Sequence, residues 1–76
     1  MTNVKVCIKN EKDALAFTSI MTQYPYSADL RVGSKLIDAK SLIGVFAMAI
    51  SKPAKLIIND DPVPEFFEEI RPYVIG

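Results

Sequence analysis

Four stretches of this chain set apolar and polar side chains by turns, and that period of two constrains the fold more than any other feature. Val4, Val6 and Ile8 are separated by Lys5 and Cys7, and Ala28, Leu30 and Val32 by Asp29 and Arg31. Ile37 and Ala39 punctuate Lys35 to Lys40, and Ala54, Leu56 and Ile58 enclose Lys55 and Ile57. A β-strand turns successive side chains to opposite faces, so each stretch reads as a half-buried strand. Gly33-Ser34 joins the second to the third as a two-residue hairpin, because glycine supplies the positive φ that such a turn needs. Strands of this kind form an antiparallel sheet with one apolar face, and that face has to be covered.

Three segments supply the cover. Asn10 is a good N-cap for a helix over Glu11 to Thr22, and Asp13 can answer it three residues on. Ala14, Phe17, Thr18, Met21 and Tyr24 follow at helical spacing until Pro25 stops the ladder. Ser41 is a second N-cap, before a run from Leu42 to about Ile50 that carries no charge. That run is too short to span a membrane and is apolar on all sides, which is unusual for a surface helix. Ser51-Lys52-Pro53 ends it. Asp61 is expected to cap the last helix with Pro62 at its first position, where the missing N–H costs nothing. Phe66, Ile70 and Val74 form its stripe, with Phe67 and Tyr73 alongside and Pro72 near its end. The order is β-α-β-β-α-β-α: an α/β two-layer sandwich of the α+β class, with a four-stranded antiparallel sheet covered on one face by three helices.

At 76 residues the chain is expected to form a single domain, residues 1–76. Nine basic and nine acidic residues give no net charge, which argues against charge-driven binding to nucleic acid or membrane. Cys7 is alone, so no internal disulfide is expected. No charged-then-apolar leader opens the sequence, so a cytoplasmic protein is expected. There is no histidine, which removes the commonest general base and the commonest metal ligand together. Without one, no nucleophile and base can be paired, and Cys7 reads as a plain strand residue. The acids Asp60, Asp61, Glu65, Glu68 and Glu69 match no metal-loop spacing and read as a solvated helix face. No enzyme, metal or cofactor is implied.

Ala39-Lys40-Ser41-Leu42-Ile43-Gly44-Val45-Phe46-Ala47-Met48 resembles the segment around the regulatory serine of HPr, the phosphocarrier family of the bacterial sugar phosphotransferase system. The order of elements also resembles that family over the whole chain. HPr carries phosphate on a histidine at the start of its first helix, in the pattern His-x-Arg-Pro. Counting back from Ser41 puts Asn10 at the histidine position, Lys12 at the arginine and Asp13 at the proline. An asparagine amide nitrogen is delocalised into its carbonyl and is no nucleophile, so phosphohistidine transfer is not expected.

In HPr proteins of Gram-positive bacteria the matching serine is phosphorylated by HPr kinase/phosphorylase, and the modified protein assists a transcription factor of carbon regulation. Histidine-lacking members keep only the serine's role. The resemblance therefore implies protein partners, a regulatory phosphorylation at Ser41 with Lys40 beside it, and an exposed patch of Leu42, Ile43 and Phe46, while Val45 and Met48 face the sheet. Read from the residues alone, Ser41 is an N-cap and all five apolar side chains are core. Monomer and weak homodimer are both compatible with the sequence. The alternative function is an HPr-fold interaction module unrelated to sugar transport.

Overall fold

Strand pairing follows the alternation. In the computed structural model, which describes Met1–Gly76, β1 (Thr2–Cys7), β2 (Ala28–Val32), β3 (Lys35–Asp38) and β4 (Pro53–Ile58) form one antiparallel sheet. Their order is β1-β4-β2-β3, so the last strand in sequence lies inside the sheet. Val4 faces Leu56 and Leu56 faces Leu30, which puts one apolar row across three strands. Leu30, Leu56, Ile58 and Val6 are fully buried. The other face carries the polar partners, with Lys5 opposite Lys55 and Lys55 opposite Arg31.

The helices α1 (Glu11–Thr22), α2 (Leu42–Met48) and α3 (Pro64–Ile70) supply the second layer. The Asn10 carboxamide oxygen accepts the Asp13 N–H at 2.8 Å, so the expected cap starts α1. Ala14, Phe17, Thr18 and Met21 form its buried stripe. The buried Thr18 hydroxyl donates to the Ala14 carbonyl at 2.9 Å, which satisfies it inside the core.

Four boundaries differ from the expectation, each for a local reason. β3 stops at Asp38 rather than Lys40, because the Asp38 carboxylate accepts the Lys40 N–H at 2.9 Å and turns the chain. α2 stops at Met48 rather than near Ile50. Ile50 instead bridges Ile8 in the parallel sense, a departure from antiparallel pairing outside the named strands. α3 begins at Pro64 with Val63 as its N-cap, not at Pro62 with Asp61. A residue before proline is pushed out of the helical region, so Val63 is extended and the helix can begin only after it. Lastly, Val74 is exposed and leaves the stripe, while Tyr73 enters the core edge-on to Phe17 at 5.5 Å between ring centres. The 3-10 turn at Arg71–Tyr73 changes the rotation per residue and redirects both side chains. Val74 then bridges Val6, and the Ile75 N–H donates to the Lys5 carbonyl at 2.9 Å, which covers the outer edge of β1.

Gly44 marks the closest approach of α2 to the sheet. A Cβ there would lie 2.6 Å from the Ile37 Cγ2, an atom on a stiff branched side chain. Gly44→Ala gains helix propensity of about 1 kcal/mol but forces an overpacking cost of about 1–3 kcal/mol. The variant is expected to melt below the wild type; an equal or higher midpoint in thermal unfolding would show that α2 can lift off the sheet freely.

Candidate functional site

α2 has seven residues, about two turns, and cannot bury them all. Val45 is fully buried, while Leu42 and Met48 pack only partly against the core. Ile43 and Phe46 are 80% and 42% exposed. They stand three residues apart on one helix face, so they form a single apolar surface. The expected patch is thus present at Ile43 and Phe46, whereas Leu42 straddles the surface and the interior. Val45 faces the sheet as expected, and Met48 does so in part.

Ser41 starts this helix. Its hydroxyl oxygen accepts the Gly44 N–H at 3.2 Å, which places the side chain at the edge of the exposed face. The neighbouring Lys40 ammonium is partly buried and donates to the Tyr24 carbonyl at 2.9 Å. Lys40 therefore ties the loop before α2 to the chain just beyond the C-terminal end of α1, where a cation suits the helix dipole.

Asn10 and Lys12 are both exposed at the opposite end of α1. The Asn10 oxygen is occupied as the cap of α1. Just before it, the Ser51 N–H donates to the Ile8 carbonyl at 2.7 Å and the Ser51 hydroxyl to the Lys9 carbonyl at 3.0 Å. Ser51 holds φ at +62°, a left-handed conformation uncommon outside glycine, and these two bonds hold it there. The chain leaving α2 is thus tied beside the start of α1, while the loop entering α2 is tied beside the end of α1. The two helices run antiparallel, and Asn10 and Ser41 lie at opposite ends of the pair.

The sequence reading missed an aromatic cluster at the end of α1. Tyr24 stacks on Tyr26 at 5.6 Å with 11° between the rings, and both meet Phe66 edge-on. The Tyr24 hydroxyl donates to the Glu69 carboxylate. That hydrogen bond, helped by desolvation and by the charges of Glu69 and Glu65, pushes the Tyr24 phenol up to about 12. The Tyr26 hydroxyl accepts the Val63 N–H at 3.0 Å and so anchors the start of α3. Tyr24-Pro25-Tyr26 carries a helix-stop signal in sequence, but its partners lie some 40 residues away, as the Tyr24–Glu69 separation of 45 shows.

No family model matches this chain, and no curated protein does. Solved structures do. HPr-C-His from Thermoanaerobacter tengcongensis matches with a TM-score of 0.73 at 20% identity, over 95% of this chain and 89% of that one. The phosphocarrier protein HPr from Bacillus anthracis str. Ames matches with 0.71 at 16% identity, over 97% and 96%. The histidine-containing phosphocarrier protein of Mycoplasma matches with 0.72 at 10% identity, over 93% and 89%. The chain has the fold of the HPr phosphocarriers, as its order of elements implied.

Two outcomes follow from the hydrogen bonds. Ser41→Ala is expected to cost about 1 kcal/mol and Ser41→Gly only a few tenths, because glycine is itself a fair N-cap; chemical denaturation of the two variants checks the order. Tyr24 is expected to titrate near pH 12, and Glu69→Gln to return it toward the ordinary 10. A phenol whose pKa rises on folding adds stability that is complete below about pH 10 and is lost as the pH rises through about 12. An ultraviolet titration of tyrosinate in both proteins decides it: identical curves would mean that Glu69 does not hold this phenol.

Proposed function

We propose that this protein binds other proteins as a non-catalytic relative of the phosphocarriers, without phosphohistidine chemistry. The observation that carries this reading is the absence of histidine from a chain with the HPr fold. Asn10 keeps the helix cap and has no nucleophilic nitrogen, so the helix start is retained without the reaction. Ile43 and Phe46 offer apolar surface to a partner, and Ser41 stands at the edge of that surface. A phosphate on Ser41 would add a charge of about −1.5 to −2 beside two apolar side chains, enough to change which partners fit. On this reading Ser41 is the regulatory residue, Ile43 and Phe46 are the contact, and Lys40 and Leu42 hold the contact in place.

Incubation with the general phosphotransferase enzyme and phosphoenolpyruvate is expected to leave no acid-labile phosphate on this protein; a labelled product would overturn the non-carrier reading. Capture from the source cell with wild type and Phe46→Asp is expected to differ. Recovery of the same proteins by both would remove the α2 face as the binding surface. An HPr kinase assay on wild type and Ser41→Ala, with transfer to the wild type alone, is the outcome expected for the switch.

A further inference from the structure

One groove opens on the surface of this molecule, where the β2–β3 turn meets the chain between α2 and β4. Its volume is about 540 Å³, within the range of small-molecule sites. Val32, Met48 and Pro53 give it apolar lining, and Ser34, Lys35 and Lys52 give it polar groups. Val32 pairs with Lys35 two residues on from the buried pair Leu30 and Ile37. Side chains two apart on a strand share a face, so the groove lies on the helix side of the sheet.

Both cations of the groove are free to meet a ligand. Lys35 and Lys52 are exposed, and among the lysines only Lys40 donates its ammonium to a protein acceptor. The one ion pair in the molecule joins Arg71 to Glu68. No acid lines the groove. Asp29 and Asp38 are paired with each other on the open face, so the sheet stands between their carboxylates and the groove. Glu11 and Asp13 open α1 close to the Ser51 loop, but neither lines the groove or pairs with a lysine. Two ammoniums bordering one cleft that contains no acid focus positive potential there.

The backbone beside both lysines is set before any ligand arrives, which lowers the cost of binding. Lys35 closes the two-residue hairpin, with Gly33 at φ +61°. Lys52 follows Ser51, which the Ile8 and Lys9 carbonyls hold, and its own N–H donates to the Ala49 carbonyl at 3.2 Å. Met48 is half-buried and unbranched, so its thioether adapts to the shape laid against it. We propose that this groove binds a small phosphomonoester with an apolar body. The phosphate sits between Lys35 and Lys52 and accepts from the Ser34 hydroxyl, and the body lies on Val32, Met48 and Pro53. Two ammoniums match the charge of about −1.5 to −2 on such a phosphate at pH 7, whereas a carboxylate leaves one unmatched. The site is separate from the α2 contact, since neither Ile43 nor Phe46 lines it.

Amide and methyl NMR shifts of the whole chain, followed as phenyl phosphate is added at neutral pH, test this. Saturable one-to-one shifts are expected at Gly33, Ser34, Lys35 and Lys52 and at the Met48 methyl. Inorganic phosphate, which lacks the body, and benzoate, which has a single charge, are each expected to bind more weakly. Lys35→Gln and Lys52→Gln are each expected to weaken phenyl phosphate roughly fivefold or more. Both side chains are exposed, and the unchanged amide pattern of each variant confirms its fold. Arg71→Gln removes the same charge outside the groove and is expected to leave the affinity as it was. No saturable shift with phenyl phosphate would overturn the proposal. So would shifts centred on Glu11 to Asp13 at the start of α1, or an Arg71→Gln loss equal to that of Lys52→Gln. Inorganic phosphate or benzoate binding as tightly as phenyl phosphate would overturn the ligand class.

Discussion

The fold depends on β4 being paired on both sides. It faces β1 through six residue pairs and β2 through four, and no other strand links the two halves of the sheet. Ala54, Leu56 and Ile58 point from this strand into the core, and their neighbours Val6, Leu30 and Ala28 are buried beside them. A one-residue slip of β4 would turn all three apolar side chains to solvent and put Lys55 under the helices. The register of this strand therefore carries both the core and the placement of charge on the open face. The positions of α2 and α3 follow from it, since each of these helices is joined directly to one end of β4.

A short helix on a sheet explains the character of α2. Only Val45, and Ala49 just beyond the helix, are fully inside. Gly44 lets the backbone come close to Ile37, so the helix lies low and its inward stripe is narrow. The remaining apolar side chains, Ile43 and Phe46, have nowhere to go within this chain. A chain of this size has little apolar surface to spare, so the exposure of Ile43 and Phe46 works against stability.

Much of this was legible in the residues. The period-two stretches identify every strand, and the caps Asn10 and Ser41 are used as their chemistry implies. The boundaries that escaped were set by competing local rules. Two prolines, Pro62 and Pro64, both fit a first helical position, and only the extended Val63 decides between them. Tyr73 and Val74 are both apolar and adjacent, so which one enters the core depends on the 3-10 turn between Ile70 and Val74. The candidate site was half legible. Ser41 and the apolar run were visible, but the division of that run into inside and outside needed the sheet beneath it.

Sequence alone determined the element order, the antiparallel pairing of the strands and the absence of a histidine to carry phosphate, because these depend on local periodicity and residue chemistry. Only the tertiary structure decided that Asn10 and Ser41 lie at opposite ends of an antiparallel helix pair, that Ile43 and Phe46 remain exposed, and that Tyr24 meets Glu69. It also decided that Lys5, Lys55 and Arg31 stand side by side. The physical reason is that strand order and register bring together residues far apart in the chain, and no local preference encodes which strand inserts between which.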